Sequence, residues 1–156
     1  MKDIFAAVRE LVTKNENVNV IFPMHKNPLI RELAAESFKG VEDKIHLIEP
    51  LEYVDFANLM AKCYLIMTDS GGIQEEAPAL GKPVIVLRTE TERPEAVEAG
   101  TVKLAGIKKD VIFNLTDELI NDKEAYNKMA HAVNPYGDGE ACARIVEHIV
   151  EYFKNK

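Results

Sequence analysis

The clearest chemical signal in the chain is T-D-S-G-G-I-Q-E-E-A-P-A-L-G-K-P at residues 68–83, set between the apolar runs L-I-M at 65–67 and V-I-V-L at 84–87. Gly71 and Gly72 have no Cβ, so an anion can come close to their amides where the next helix begins. Free amides and the positive end of the helix dipole favour a phosphate there, and the Ser70 hydroxyl adds a donor. On a helical wheel Ile73, Ala77 and Leu80 form the inward stripe, Glu75 points away from it and Glu76 lies on its flank. A partly buried carboxylate one turn below a phosphate is placed to accept both hydroxyls of a ribose. Plainer readings stand beside these. A Gly-Gly pair commonly does no more than turn the chain, and an isolated glutamate is commonly just solvated. Pro78 is expected to kink or shorten the helix, and Gly81 to end it.

The elements that must position these residues follow from hydrophobic periodicity. Ile4, Val8, Leu11 and Val12 recur at helical spacing, and V-N-V-I-F at 18–22 reads as a strand ending at Pro23. Asn27 caps a helix opened by Pro28, with Ile30, Leu33, Ala34 and Phe38 on its inner face and Gly40 stopping it. A strand covers 45–48, and a helix near 52–62 turns Phe56, Leu59, Met60 and Cys63 inward. Strands at 64–68 and 84–87 flank the glycine motif, a short strand covers 102–105, and helical stretches run over 117–131 and 139–153.

Short strands alternating with helices call for parallel βαβ units with right-handed crossovers. The expected fold class is α/β: a doubly wound parallel sheet in a single Rossmann-like domain over residues 1–156. Ligands of such domains bind beyond the carboxyl ends of the strands. Four chemically loaded loops fall there: P-M-H-K-N-P at 23–28, E-P-L-E-Y at 49–53, T-D-S-G-G at 68–72 and R-T-E-T-E-R-P-E at 88–95.

Composition excludes several classes. The 156 residues are 47% hydrophobic and 29% charged, ordinary for a water-soluble domain with one core. A net charge of −7 disfavours generic binding to nucleic acid or anionic membrane. No apolar run nears the roughly 20 residues that cross a bilayer, and acids interrupt M-K-D-I-F-A-A-V-R-E too early for a signal-peptide core. Cys63 and Cys142 fall in helical apolar patterns and read as reduced core residues of a cytoplasmic protein. His46, His131 and His148 show no metal-ligand spacing with one another or with the cysteines, so no metal is expected.

Taken together, T-D-S-G-G-I-Q-E-E-A-P, F-P-M-H-K-N-P, T-E-R-P-E-A-V-E-A-G-T and N-P-Y-G-D-G closely resemble the bacterial, non-hydrolysing UDP-N-acetylglucosamine 2-epimerases. The resemblance runs over essentially the whole chain, in order. A Gly-Gly…Glu pattern alone also occurs in glycosyltransferases of the same architecture. The family has two Rossmann-like domains of the GT-B type with the nucleotide sugar between them, and this chain resembles the carboxyl-terminal, UDP-binding half. The resemblance implies that Ser70, Gly71 and Gly72 hold the diphosphate, Glu76 the ribose hydroxyls, and that Phe56 lies at the uracil. It places Arg93 near the phosphates or sugar, where a guanidinium suits a diphosphate leaving group. It also makes His25 a contact of a second, regulatory UDP-GlcNAc, while Tyr136, Gly137 and Asp138 order the turn before the last helix. Phe56 as a plain core aromatic, Arg93 in a loop salt bridge and His25 as an exposed loop residue are the alternatives.

The implied reaction inverts C2 of UDP-GlcNAc to give UDP-ManNAc by eliminating and re-adding UDP, chemistry that calls for no cofactor. The family's catalytic carboxylates belong to its amino-terminal domain, so no catalytic residue is expected here. The family's H-R-R-E-type strand and loop, preceding the helix that M-K-D-I-F-A-A-V matches, has no counterpart either. In the usual order that first strand is central. The sheet is therefore expected to carry an internal gap or two unpaired edges, closed by rearrangement or by association with an amino-terminal domain or a second copy in a homodimer. Three functions compete: the UDP-binding half of an epimerase, the nucleotide half of a GT-B glycosyltransferase, and a non-catalytic UDP-sugar module. Q-E-E-A-P together with T-E-R-P-E argues against the second.

Overall fold

The computed structural model describes residues 1–155. Helices and strands alternate along it as α1 (Lys2–Lys14), β1 (Val20–Pro23), α2 (Pro28–Ser37), β2 (Ile45–Ile48), α3 (Tyr53–Lys62), β3 (Ile66–Thr68) and α4 (Gly71–Ala79). They continue as β4 (Val84–Val86), α5 (Pro94–Ala99), β5 (Val102–Leu104), α6 (Lys109–Asn121), α7 (Lys123–Ala130) and α8 (Ala141–Lys154).

Every strand pair is parallel, and the strands form two sheets, β1-β2 and β3-β4-β5. The expected internal gap is thus present: β1 and β3 do not pair. Alternation fixes which groups face it. Val20 and Met24 donate their N–H groups to Lys44 and Ile48 on the β2 side, so Ile21 and Pro23 turn their backbone the other way. Pro23 has no N–H to leave unpaired, which suits a strand edge. Across the gap, Ile66 donates to Pro83 and Thr68 accepts from Leu87, leaving Met67 facing outward from β3.

Side chains join what the backbones do not. Phe5, Val8 and Val12 of α1, Ala34 of α2, Ile85 of β4, and Ile112 and Leu119 of α6 belong to one buried cluster, against which Phe22 and Met67 pack. The Phe5 ring lies 5.8 Å from Phe22 and 5.0 Å from Phe38, centroid to centroid. On the other side Ala77, Val84, Val86, Ala96 and Val102 form a second cluster under α4 and α5, with Ile73 and Tyr136 against it. β4 is buried throughout, as a strand covered on both faces must be.

Several expectations shift in detail. Asn27 does cap α2, accepting from the Leu29 N–H at 3.0 Å, and the helix ends at Ser37, before Gly40. The stretch expected as one helix over 117–131 is two. α6 begins at Lys109, and Asp122 breaks the run by accepting from the N–H groups of Glu124 and Ala125 at 2.8 and 3.1 Å, capping α7. The six-residue α5 was not expected. Pro94 starts it, and Gly100 ends it at φ 78°, where a side chain would be strained.

The inward face of α4 is Gln74, Ala77 and Pro78; Leu80, expected inside, is 41% exposed just past the helix end. Pro78 falls in the last turn, and the helix stops one residue later. The cysteines also differ from expectation. Both are free, but Cys63 is only half-buried, and Cys142 is exposed on α8, none of whose residues is buried. Burial pushes the Cys63 thiol pKa up, so it is a poor nucleophile.

Candidate functional site

The glycine motif is built where β3 hands over to α4. The Thr68 side chain, almost buried, accepts the Ser70 N–H at 3.0 Å and folds the chain back as the strand ends. Ser70 is the N-cap of α4, with extended backbone, and its hydroxyl makes no capping bond. The first-turn amides therefore have no side-chain acceptor from the cap, and Ser70 Oγ stays available.

The loop after β4 brings the arginine to the same point. Arg93 Nε donates to Glu75 Oε1, and Nη1 donates to the Glu92 carbonyl at 3.0 Å. A Cβ placed on Gly71 would lie 3.9 Å from Arg93 Nη2, so the guanidinium borders the helix start. A Cβ on Gly72 would lie 3.7 Å from Glu76 Oε1 and 3.9 Å from Ser70 Oγ. Five residues singled out from sequence, Ser70, Gly71, Gly72, Glu76 and Arg93, thus meet at one helix end. The adjacent Glu75 holds the Arg93 pKa above its already high ordinary value, so the cation is permanent.

Phe56 and His25 are placed otherwise. Phe56 is half-buried on α3, and His25 is exposed in the loop after β1. Among the described residues, no hydrogen bond, ion pair or ring contact ties either to the Ser70 cluster. The His25 loop has its own anchor. His25 Nδ1 accepts the Asn27 N–H at 3.2 Å, and Arg31, whose Nε donates to the His25 carbonyl at 3.4 Å, grips Glu49 through two 2.6 Å bonds. That fork also holds the Glu49 carboxyl below the usual carboxylate range.

The turn before α8 is ordered as expected. Asn134 Oδ1 accepts the Tyr136 N–H at 3.2 Å, while Asp138 accepts the Glu140 N–H at 3.1 Å and pairs with Arg144. Sequence reasoning missed Gln74, Thr91 and the approach of Tyr136. Gln74 is fully buried and accepts from the Thr91 hydroxyl at 2.6 Å. Tyr136 packs against the second cluster, with its hydroxyl buried. Burial first, then the charges of Glu95 and Glu75, push that phenol's pKa up. A glutamine three residues before Ala77 lies on the inward stripe, which was the available signal; its polar type hid it. Among the described residues, no group of three or more His, Cys, Asp or Glu side chains is placed to hold a metal.

The arrangement gathers groups that suit an anion: helix-start amides without Cβ cover, a hydroxyl, a fixed guanidinium, and a carboxylate one turn below. Comparison with known proteins places the chain in a family. The family model described as UDP-N-acetylglucosamine 2-epimerase matches residues 1–150. The UDP-N-acetylglucosamine 2-epimerase of Bacillus subtilis is 54% identical over 153 residues, covering 98% of this chain and 40% of that protein. A crystal structure of a UDP-N-acetylglucosamine 2-epimerase superposes with a TM-score of 0.93 at 53% identity, over 100% of this chain and 42% of that one. The UDP-GlcNAc 2-epimerase of Neisseria meningitidis, solved bound to UDP-GlcNAc, superposes at 0.92 with 48% identity, over 97% and 41%. The chain thus spans about two fifths of the length of the relatives it matches, and its doubly wound α/β fold is that of one half of these GT-B enzymes. The chain belongs to the UDP-N-acetylglucosamine 2-epimerase family.

Proposed function

We propose that this chain supplies the UDP-binding half of an enzyme that interconverts UDP-GlcNAc and UDP-ManNAc. The observation that carries the reading is the convergence of Ser70, Gly71, Gly72, Glu76 and Arg93 on the start of α4. The amides of Gly71 and Gly72 and the Ser70 hydroxyl take the diphosphate oxygens, Arg93 offsets their charge, and Glu76 accepts the ribose hydroxyls. Phe56 lies toward the uracil, and His25 serves a second, regulatory UDP-GlcNAc.

The chemistry explains the need for such a cradle. Removing the C2 proton while the C1–O bond breaks sends the bonding electrons onto the β-phosphate of UDP and leaves a 2-acetamidoglucal. UDP then re-adds at C1 as a proton arrives on the opposite face of C2. Donors aimed at the departing diphosphate stabilise charge as it develops. The acid/base groups that move the C2 proton belong to the amino-terminal domain that completes such enzymes, and this chain works against that domain or in a homodimer with a second copy. We place it in the cytoplasm, where two free thiols remain reduced.

Calorimetry with UDP and UDP-GlcNAc, run beside an epimerisation assay, tests the proposal. Binding by this chain, with turnover restored by a separately produced amino-terminal domain, is the expected result; no UDP binding overturns it. The second reading is a UDP-sugar binding module without catalysis. Binding that never yields turnover with any added domain would select it. Light scattering on the eluted protein reads the homodimer directly, and a clean monomer counts against it.

A further inference from the structure

Gln74 is 0% exposed, yet both ends of its amide are bonded. Nε2 donates to the Ser70 carbonyl at 3.2 Å, and Oε1 accepts from the Thr91 hydroxyl at 2.6 Å. Thr91 Oγ1 in turn accepts the Arg93 N–H at 3.1 Å. A continuous chain of bonds therefore runs from the N-cap of α4, through the buried amide, to the backbone of the arginine beside Gly71. An apolar residue would fill this inward position of α4 without the desolvation cost of a primary amide. The amide's two ends differ, one donating and one accepting, so the network fixes its orientation and with it the spacing of the two loops.

We infer that Gln74 is a positioning residue: through Thr91 it sets the main chain of Arg93, so that the loops after β3 and β4 meet a diphosphate as one preassembled cradle. Glu75 aims the guanidinium head, while Gln74 anchors its root. The inference rests on the UDP reading above, and Gln74 itself touches no ligand atom. Preassembly matters because ordering a loop at the moment of binding takes from the affinity that its contacts supply.

The test uses Gln74→Met, which keeps the length without the amide, Thr91→Val, which keeps the shape without the hydroxyl, and Thr91→Ser, which restores it. Each is made with Arg93 present and with Arg93→Ala, and UDP binding is measured by calorimetry. With Arg93 present, Gln74→Met and Thr91→Val are expected to weaken UDP about tenfold each, and Thr91→Ser by less than about twofold. With Arg93→Ala, the further loss from Gln74→Met is expected to shrink to less than about twofold, because the anchored group is gone. Equal losses in both backgrounds would mean that Gln74 merely supports α4, and would overturn the inference.

A second readout needs no ligand. Hydrogen exchange of the Arg93 backbone amide in the free chain is expected to quicken about tenfold in Gln74→Met and Thr91→Val and to recover in Thr91→Ser, while the Ile112 and Leu119 amides stay unchanged. No change at Arg93 overturns the inference even if UDP binds. Failure of the unsubstituted chain to bind UDP overturns the functional reading instead, and exchange still decides the role of Gln74. If Gln74→Met does not fold, the half-buried Thr91 pair decides alone.

Discussion

Replacing Gly72 with alanine separates a binding glycine from a turn glycine, because the two roles predict opposite balances of stability and affinity. Gly72 has no positive φ, and a Cβ there would meet only Glu76 Oε1 at 3.7 Å and Ser70 Oγ at 3.9 Å, ordinary contact distances. The backbone therefore accepts alanine without strain. Alanine in a helix is favoured over glycine by about 0.5–1 kcal/mol, so Gly72→Ala is expected to raise the melting temperature by about 1–4 °C for a chain of this size. The same Cβ leans toward the amino-terminal end of α4, the direction from which a phosphate would come. Losing one or two amide bonds to a charged phosphate costs about 1.5–3 kcal/mol each, which is a fall in UDP affinity of at least about tenfold. Calorimetry and a thermal melt on one preparation read both quantities. An alanine variant that is less stable and binds UDP as before would refute the reasoning and return Gly72 to a purely structural role.

Three further outcomes follow from the same structure. Glu76→Ala is expected to weaken UDP by about tenfold or more and to abolish the preference for UDP over its 2′-deoxy analogue; titration with both nucleotides checks it, and retained discrimination would sink the ribose assignment. Asp117 joins α6 to α1 through Lys14 at 2.8 Å, with Asn15 and Asn121 at 3.1 Å each, and Lys14 above all lowers its pKa. A lowered folded pKa stabilises above the ordinary aspartate range and is lost as pH falls through the folded value. Asp117→Asn should therefore cost up to about 1 kcal/mol at neutral pH, with the gap to the parent closing below pH about 4 in urea melts. Ile112→Ala, at a fully buried position where α6 meets the first cluster, is expected to cost about 2–5 kcal/mol, and an unchanged denaturation midpoint would contradict that packing.

What could be read from sequence was what is local. The Asn27–Pro28 helix start, the apolar face of α1 and the Ser70-Gly71-Gly72 run each carry their signal within one turn or one strand. The α5 helix carried its signals too, Pro94 and Gly100, but six residues are too few to show a period. Asp122 divides α6 from α7 through a cap bond that a polar residue in a polar stretch does not announce. The deeper parts of the site are tertiary. Nothing near Thr91 in sequence indicates a buried partner, and Gln74 differs from a surface glutamine only because the β4 loop closes over it. Arg93 could be assigned to the site only through resemblance, since its place beside Gly71 depends on the loop after a different strand.

The unpaired flank between β1 and β3 divides the molecule along a seam. The cradle residues Ser70, Gly71, Gly72, Glu76 and Arg93 all follow β3 or β4, in the three-stranded sheet, whereas His25 follows β1 in the other. Among the described residues no ladder bond crosses that seam, and the buried side-chain cluster spans it instead. The separation between the Ser70 cluster and the His25 loop is therefore set by side-chain packing, with no strand ladder spanning it.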